Sequence, residues 1–294
     1  MEQLKILSPA KINLHLQITS KRKDGYHNLI SLFQMVSLYD EISIKNIKND
    51  EILVNGNFDC PMEDNLIYKA IVWLRKRHNI KSGFRISCIK NIPQGAGLGG
   101  GSSNAAATLI GVNSLLNLGN SKEDLKVGAL ELGSDIPFFL EGPTSIAEGR
   151  GEILTNLPTR EDLYLLISDT GFHSSTREIF NLLNIEENNN KSLSLGDITD
   201  SYLKSDPSLW PFFNSFTPYL YKKYPIYEEI INLFNKNGSV YSSITGTGSS
   251  VFGVFRDVSR ADGAQKVLKN SNIITHKVKM LANRPEPVYN YPTA

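Results

Sequence analysis

The chain has 294 residues, and its 31 Lys+Arg against 30 Asp+Glu leave a formal charge of +1. That balance argues against a nucleic-acid or anionic-membrane binder working by bulk charge, and 40% hydrophobic with 21% charged residues is too apolar for a disordered chain. At ~150 residues per domain the length predicts two domains, while Cys60 and Cys88 show neither CxxC spacing nor a framework pattern and fit a reducing compartment. No apolar run approaches the ~18 residues of a membrane span, and the N-terminus lacks a basic region followed by an apolar stretch. The expectation is a soluble cytoplasmic protein, monomer or homodimer, with no nucleic-acid or membrane partner.

In chain order, residues 11–18 alternate as a strand, with Lys11, Asn13, His15 and Gln17 on one face and Ile12, Leu14, Leu16 and Ile18 on the other. A charged loop at 21–24 and Gly25 precede apolar pieces at 29–38 and 41–45. Residues 65–78 have helical periodicity, capped by Asp64 or Asn65, and 84–89 alternate as a strand. An Ala-rich helix is predicted over 102–118, and a second over 121–132, with Ser121 at its cap and Gly133 at its stop. The Gly- and Pro-containing stretch 149–158 is the expected boundary, giving domains 1–155 and 156–294. Beyond it come a buried strand at 163–168, a short helix at 176–183, a polar loop at 186–191 and a helix at 226–237 with an Ile226, Ile230, Ile231, Phe234 stripe. Strands at 240–244 and 251–255, a helix at 261–268 and a last strand at 273–280 follow. Strands succeeding one another without helical crossovers predict an α+β fold with antiparallel sheets.

The most informative segment runs Pro93, Gln94, Gly95, Ala96, Gly97, Leu98, Gly99, Gly100, Gly101, Ser102, Ser103. Five glycines within seven residues, between a strand and an Ala-rich helix, let successive N–H groups converge on an anion with no Cβ in the way. The helix N-terminus and two serine hydroxyls complete a phosphate cradle; the alternative is a flexible turn. Gly95, Gly97 and Gly100 satisfy G-x-G-x-x-G, but Glu123 and Asp124, at the right distance for a dinucleotide fold, fall in the first turn of a helix. A Walker loop needs a lysine where Gly101 stands. Both common phosphate folds fail.

The run resembles the second motif of the GHMP small-molecule kinase superfamily. Ser8-Pro-Ala-Lys-Ile-Asn-Leu14 resembles the first motif and Ser243-Ile-Thr-Gly-Thr-Gly-Ser-Ser-Val-Phe252 the third. The resemblance implies the two-domain GHMP kinase fold, an N-terminal ribosomal-protein-S5-like, ATP-binding catalytic domain and a C-terminal α/β-plait-like domain, with the active site in the cleft. With Asp24-Gly-Tyr-His-Asn-Leu29, the N-terminal region is similar to the branch that phosphorylates the 2-hydroxyl of a cytidyl diphosphate of methylerythritol with ATP, in the non-mevalonate route to isoprenoid precursors. Members acting on mevalonate or homoserine, and a non-catalytic nucleotide sensor on the same fold, are the alternatives; intact Lys11 and Asp135 count against the sensor.

Single residues carry the expected chemistry. Lys11 shares a strand face with Asn13, and a lysine facing inward is costly unless it meets an anion; a strand-edge lysine reaching solvent is the other reading. Asp135, beside Pro137, is equally an N-cap or turn aspartate on local sequence, and the resemblance makes it the catalytic aspartate. ATP, with Mg2+ bridging its phosphates, would lie over residues 95–103; Ser102 and Ser103 are candidate metal ligands, none being assigned. The resemblance further implies that Asn13, Tyr26, His27 and Thr176 contact the substrate, Tyr26 stacking on its cytosine. Phe180 is nominated as the second stacking ring or as a core phenylalanine beside Ile179. Thr245, Gly246, Thr247 and Gly248 would shape the cleft. His15, His78, His173 and His276 have no metal-ligand spacing, and Asn214-Ser-Phe216 lacks the acid common at that point in the family. On this reading the polyanionic ligands are met by backbone N–H groups, a helix terminus and one placed lysine.

Overall fold

The computed structural model describes residues 3–172, 176–183, 192–271 and 273–290; the expected loop at 186–191 and His173 lie outside the described residues. The first half is built on a long antiparallel hairpin of β1 (Gln3–Lys21) and β2 (His27–Ile47). Then come β3 (Ile52–Asn55), α1 (Leu66–His78), β4 (Gly83–Ile89), α2 (Gly100–Leu115), α3 (Lys122–Leu132), α4 (Ile136–Glu141), β5 (Thr144–Gly149) and β6 (Ile153–Asn156). Asn65, not Asp64, caps α1 by accepting from Ile67 N, and Ser121 with Asp124 forms a reciprocal capping box on α3.

The second half holds β7 (Tyr164–Asp169), α5 (Thr176–Leu182), α6 (Leu195–Lys204), α7 (Thr217–Lys223), α8 (Ile226–Lys236), β8 (Tyr241–Ile244), β9 (Ser250–Phe255), α9 (Val258–Asn270) and β10 (Thr275–Lys279). Contrary to the expectation from sequence, β10 is not the last strand. β11 (Val288–Asn290) follows and pairs with β1, carrying the chain end back to the first sheet. That sheet runs β11–β1–β2–β4–β3, with β5 also on β2 and β6 on β5; the other runs β10–β7–β9–β8. Pairing is antiparallel, as expected, except between β3 and β4.

Three apolar clusters order these elements in layers. One lies between the first sheet and α1–α4, where small residues let α2 approach closely: a Cβ on Gly111 would meet Ile44 Cδ1 at 2.6 Å. The second joins Ile12, Leu14 and Val36 of the first sheet to Leu165, Phe252 and Val278 of the second. The third lies between the second sheet and α7–α9, with Tyr227 rather than Ile226 completing the α8 stripe. The middle of β1 is therefore sandwiched, and its polar residues Lys11, Asn13, His15 and Gln17 are all buried.

Those four do not share one face. The β1–β2 register shifts between Asn13 and His15, a β-bulge at Leu14, and one extra residue reverses the alternation. Lys11 and Asn13 are followed on the cleft side by Leu16 and Ile18. His15 instead packs against Phe212 and Phe213 with ring centroids 5.8 and 4.7 Å away, and Gln17 Oε1 accepts from Leu193 N.

His15 is wholly buried, and Phe213 N donates to its Nδ1 at 3.3 Å. Burial pushes its pKa down to about 4. Below pH ~6.5 the unfolded chain takes up a proton there that the folded chain refuses until about pH 4, so this stability is fully present above 6.5 and falls as pH drops through that window. Urea unfolding at pH 7.5 and pH 5 should differ by about 2 kcal/mol more in the wild type than in His15→Gln. An equal pH difference in both proteins would remove His15 as the cause.

Candidate active site

The glycine run takes its shape from alternation. Gly95, Gly97 and Gly99 have φ of 66, 74 and 69°, while Ala96 and Leu98 between them are buried. Left-handed residues at alternate positions are the geometry in which backbone N–H groups can converge on an anion, and Gly99 is the N-cap of α2, whose first N–H groups lie next in line. The helix starts at Gly100, two residues before the position expected from sequence, so Gly100, Gly101 and Ser102 form its first turn. Gly97 admits no side chain: a Cβ there would stand 2.2 Å from Thr245 O.

The three sequence motifs meet at one hydroxyl. Thr245 Oγ1 accepts from Asn13 N at 3.0 Å and lies 3.1 Å from Asn13 Oδ1 and 3.2 Å from Gly97 O as donor. Lys11 N donates to Leu98 O and Ser250 N to Ala96 O, lacing the glycine loop to β1 and β9. The loop containing Gly246, Thr247 and Gly248 joins β8 to β9, and Asn214 supports it by donating to Ile244 O and Gly246 O. Asn214 does this without the neighbouring acid; Ser215 Oγ in its place accepts from Ile18 N.

Lys11 Nζ donates to Asn13 Oδ1 at 2.7 Å and stands 3.9 Å from Asp135 Oδ2. Burial pushes the Lys11 pKa down, and the Asp135 charge pulls it partly back. Asp135 does occupy the N-cap position of α4, but its side chain makes no capping bond and is 36% exposed toward the cleft. The side-chain N-cap expected from local sequence is therefore not made, and the carboxylate stays uncommitted beside Lys11 in the cleft.

A cleft of about 980 Å³ is lined by Lys11, Asn13, Asp135, Tyr26, His27, Thr176, Phe180, Gly246 and Thr247, bringing together nearly all the residues expected at the substrate. Asp24 orders the turn before Tyr26, pairing with Arg22 and accepting from Tyr26 N. The His27 and Phe180 rings face each other at 4.8 Å, and Phe180 also meets Phe216 edge-on at 4.8 Å. It is thus at once a packed and a cleft-facing ring. Burial, then the charge of Lys21, lowers the His27 pKa, so the neutral ring offers one donor and one acceptor. Thr176 and Thr247 hydroxyls, 3.2 Å apart, close this side.

Gly97, Gly99 and Ser102 also line a second cavity of about 460 Å³ on the other side of the loop, with Pro93, Gln94, Gly95, Ala96, Leu98, Gly100 and Gly101. Its outer wall, Phe58, Leu66 and Lys90, escaped sequence reasoning because it is assembled from separate elements. Lys90 pairs with buried Asp40, which also accepts from Asn91 N and Ile92 N and so fixes the entry to the glycine loop. Ser103 corrects the expectation of two phosphate-facing serines. It is buried, its Oγ 2.7 Å from Ser8 Oγ, and it faces the core beside Asn104. Of the two serines, Ser102 is the one that lines both cavities. The single placed lysine is a second correction, since Lys21, Arg150 and Arg177 also line the cleft.

Residues 65–143 match the GHMP kinases N terminal domain and residues 203–273 the GHMP kinases C terminal domain. Over 276 residues the chain is 35% identical to 4-diphosphocytidyl-2-C-methyl-D-erythritol kinase of Acinetobacter baumannii, covering 94% of this chain and 96% of the relative. The kinase of the same name from Clostridium botulinum is 38% identical over 261 residues, 86% of this chain and 91% of the relative. The crystal structure of a 4-(cytidine 5'-diphospho)-2C-methyl-D-erythritol kinase superposes with a TM-score of 0.81 at 28% identity, covering 94% of this chain and 99% of that one. A homoserine kinase from Cytophaga hutchinsonii shares the fold at 18% identity, with a TM-score of 0.75 and coverage of 97% of each chain.

The two kinds of glycine in the loop should respond oppositely to a methyl group. Gly97→Ala meets a backbone carbonyl and a positive φ, and should lower stability by at least ~2 kcal/mol, or the melting temperature by roughly 4 °C or more. Gly101→Ala meets only Leu66 Cδ1, at an ordinary 3.8 Å, and should leave the melting temperature unchanged or raise it. Equal shifts in the two variants would contradict this account of the loop.

Proposed function

Since the chain belongs to the GHMP kinases, we propose that it phosphorylates the 2-hydroxyl of 4-diphosphocytidyl-2-C-methyl-D-erythritol with ATP, in the non-mevalonate route to isoprenoid precursors. The observation that carries the reading is the Lys11–Asp135 pair, set where the glycine loop, the β8–β9 loop and the Tyr26–His27 turn converge on one cleft. The acceptor lies in that cleft, and the triphosphate lies over residues 95–102 against the N-terminus of α2, the nucleoside reaching into the second cavity.

In the transfer, the acceptor oxygen forms a bond to the γ-phosphorus as the bond to the ADP oxygen breaks, and Asp135 takes the hydroxyl proton. Lys11, held by Asn13, keeps the Asp135 carboxylate in place and faces the charge developing on the acceptor. Positioning and electrostatics supply most of the acceleration in such a loose transition state, and a general base adds about 10²–10⁴-fold. Among the described residues no group of three or more His, Cys, Asp or Glu is placed to hold a metal. Mg2+ binds substrate phosphates with few protein ligands; Ser102, which lines both cavities, is the hydroxyl that would reach it, and when bound the ion would neutralise phosphate charge.

Tyr26, 55% exposed at the cleft with Arg150 over its ring, offers an aromatic surface for a base, and His27 offers its hydrogen-bonding edge. This aromatic group favours a cytidyl acceptor over mevalonate or homoserine, which have no ring to stack. Residues 1–155 and 156–294 are taken as the working halves, with β11 tying the second back to the first. The exposed Cys60 and buried Cys88, both free thiols, suit the cytoplasm.

Asp135→Asn should lower kcat by about 10²–10⁴-fold while the KM for ATP stays within a few-fold, read by coupled ADP release. Unchanged turnover would remove Asp135 as the base. Tyr26→Ala should raise the KM for the cytidyl substrate roughly tenfold, as the loss of one stacked ring of ~1–3 kcal/mol implies. Wild-type turnover of mevalonate or homoserine but not of the cytidyl substrate would overturn the assignment itself.

A further inference from the structure

The substrate proposed above is long. Its reacting hydroxyl belongs at Asp135 and its base at Tyr26 and His27, so its two phosphates must cross the gap between them. The turn joining β5 to β6, residues 149–152, spans that gap. A Cβ built on Gly151 would stand 3.6 Å from Asp135 Oδ1, and the guanidinium carbon of Arg150 lies 5.0 Å from the centroid of the Tyr26 ring. We infer that Arg150, which lines the cleft, binds the diphosphate of the acceptor and so selects a nucleoside-diphosphate-linked alcohol over a free one; the inference rests on the substrate assigned above.

The surroundings of the side chain suit this role. A guanidinium over an aromatic face keeps the N–H donors at its edge for a two-pronged contact with phosphate oxygens, which a lysine ammonium does not reproduce. The acids near Arg150 are Glu152 and Asp24. Glu152 Oε2 accepts the backbone N–H of Arg150 at 2.5 Å and so shapes the turn, while its Oε1 stands 3.8 Å from Arg150 Nε. Asp24 is committed to Arg22 and to Tyr26 N, and Arg150 contributes only the last of the causes that lower its pKa. Lys21 and Arg177 line the same cleft. Arg150 stands over the Tyr26 ring and its neighbour Gly151 lies beside the Asp135 carboxylate, so its turn runs between the two ends of the path.

A merely structural role, propping Tyr26, is separable from phosphate recognition by comparing CDP with cytidine as competitive inhibitors of the kinase. The wild type should bind CDP at least tenfold more tightly than cytidine. In Arg150→Met that preference should fall about tenfold, with the cytidine inhibition constant and the KM for ATP within twofold of wild type, which also shows that the fold is intact. Arg150→Lys should retain part of the preference. An unchanged CDP-to-cytidine ratio in Arg150→Met, or equal weakening of both inhibitors, overturns the inference while leaving the substrate assignment standing. A wild type that binds neither compound overturns the substrate assignment, and the inference with it, before any variant is made.

Discussion

The site depends on one buried hydroxyl. Thr245 Oγ1 contacts Asn13 on β1 and Gly97 in the glycine loop, residues 232 and 148 positions away. Each partner is itself committed: Asn13 Oδ1 also receives Lys11 Nζ, and the Asn13 amide donates to Ser31 Oγ. A hydroxyl buried without partners would cost about 1–3 kcal/mol, so the three segments either meet in this arrangement or each leaves a polar group unpaired. The same contact sets the height of the phosphate loop over β1 and the position of the Lys11 ammonium. The geometry of the cleft and the docking of the three segments are one constraint.

That constraint operates because β1 lies between two cores. A strand with one wet face would let Lys11 and Asn13 turn to water. Here both faces are covered, and Lys11 and Asn13 find their polar outlet in the cleft. The bulge at Leu14 then divides the strand by function. Before it, the odd-numbered polar residues Lys11 and Asn13 face the cleft; after it, Leu16 and Ile18 give the cleft an apolar wall, and His15 and Gln17 turn to fasten the segments around Phe213 and Leu193.

Much of this is legible in the sequence, and the failures share a cause. The glycine run reports its own backbone geometry, because alternating left-handed turns need glycine at alternate positions. Strands and helices with a clean period, such as β4, α1 and α8, fall within a residue or two of their expected bounds. Information held between distant segments is what the sequence lacks. Ser102 and Ser103 look equivalent until Ser8, 95 residues away, draws Ser103 inward. The bulge is a property of the β1–β2 pair and not of β1. The β5–β6 hairpin resembles a linker because its strands are short and its turn is rich in glycine, and that is why Arg150 stayed hidden. Asp135 was ambiguous for a different reason, since an N-cap position and a catalytic carboxylate leave the same local signature.

The near-zero charge of the chain follows from how its anions are met. As proposed, the triphosphate is met by backbone N–H groups and a helix terminus, which concentrate partial positive charge without adding any to the total. In the acceptor cleft, Lys11, Lys21, Arg150 and Arg177 face a single lining carboxylate, Asp135. Their charge is offset in the total by acids elsewhere, among them Asp24 and Glu152 at the edge of the same cleft, each engaged by an arginine. Screening over ~8 Å at physiological salt makes only the nearest charges count for a bound phosphate. Composition therefore argues against a polyanion binder working by bulk charge, and leaves open a cleft in which a few placed cations and oriented amides serve small polyanions.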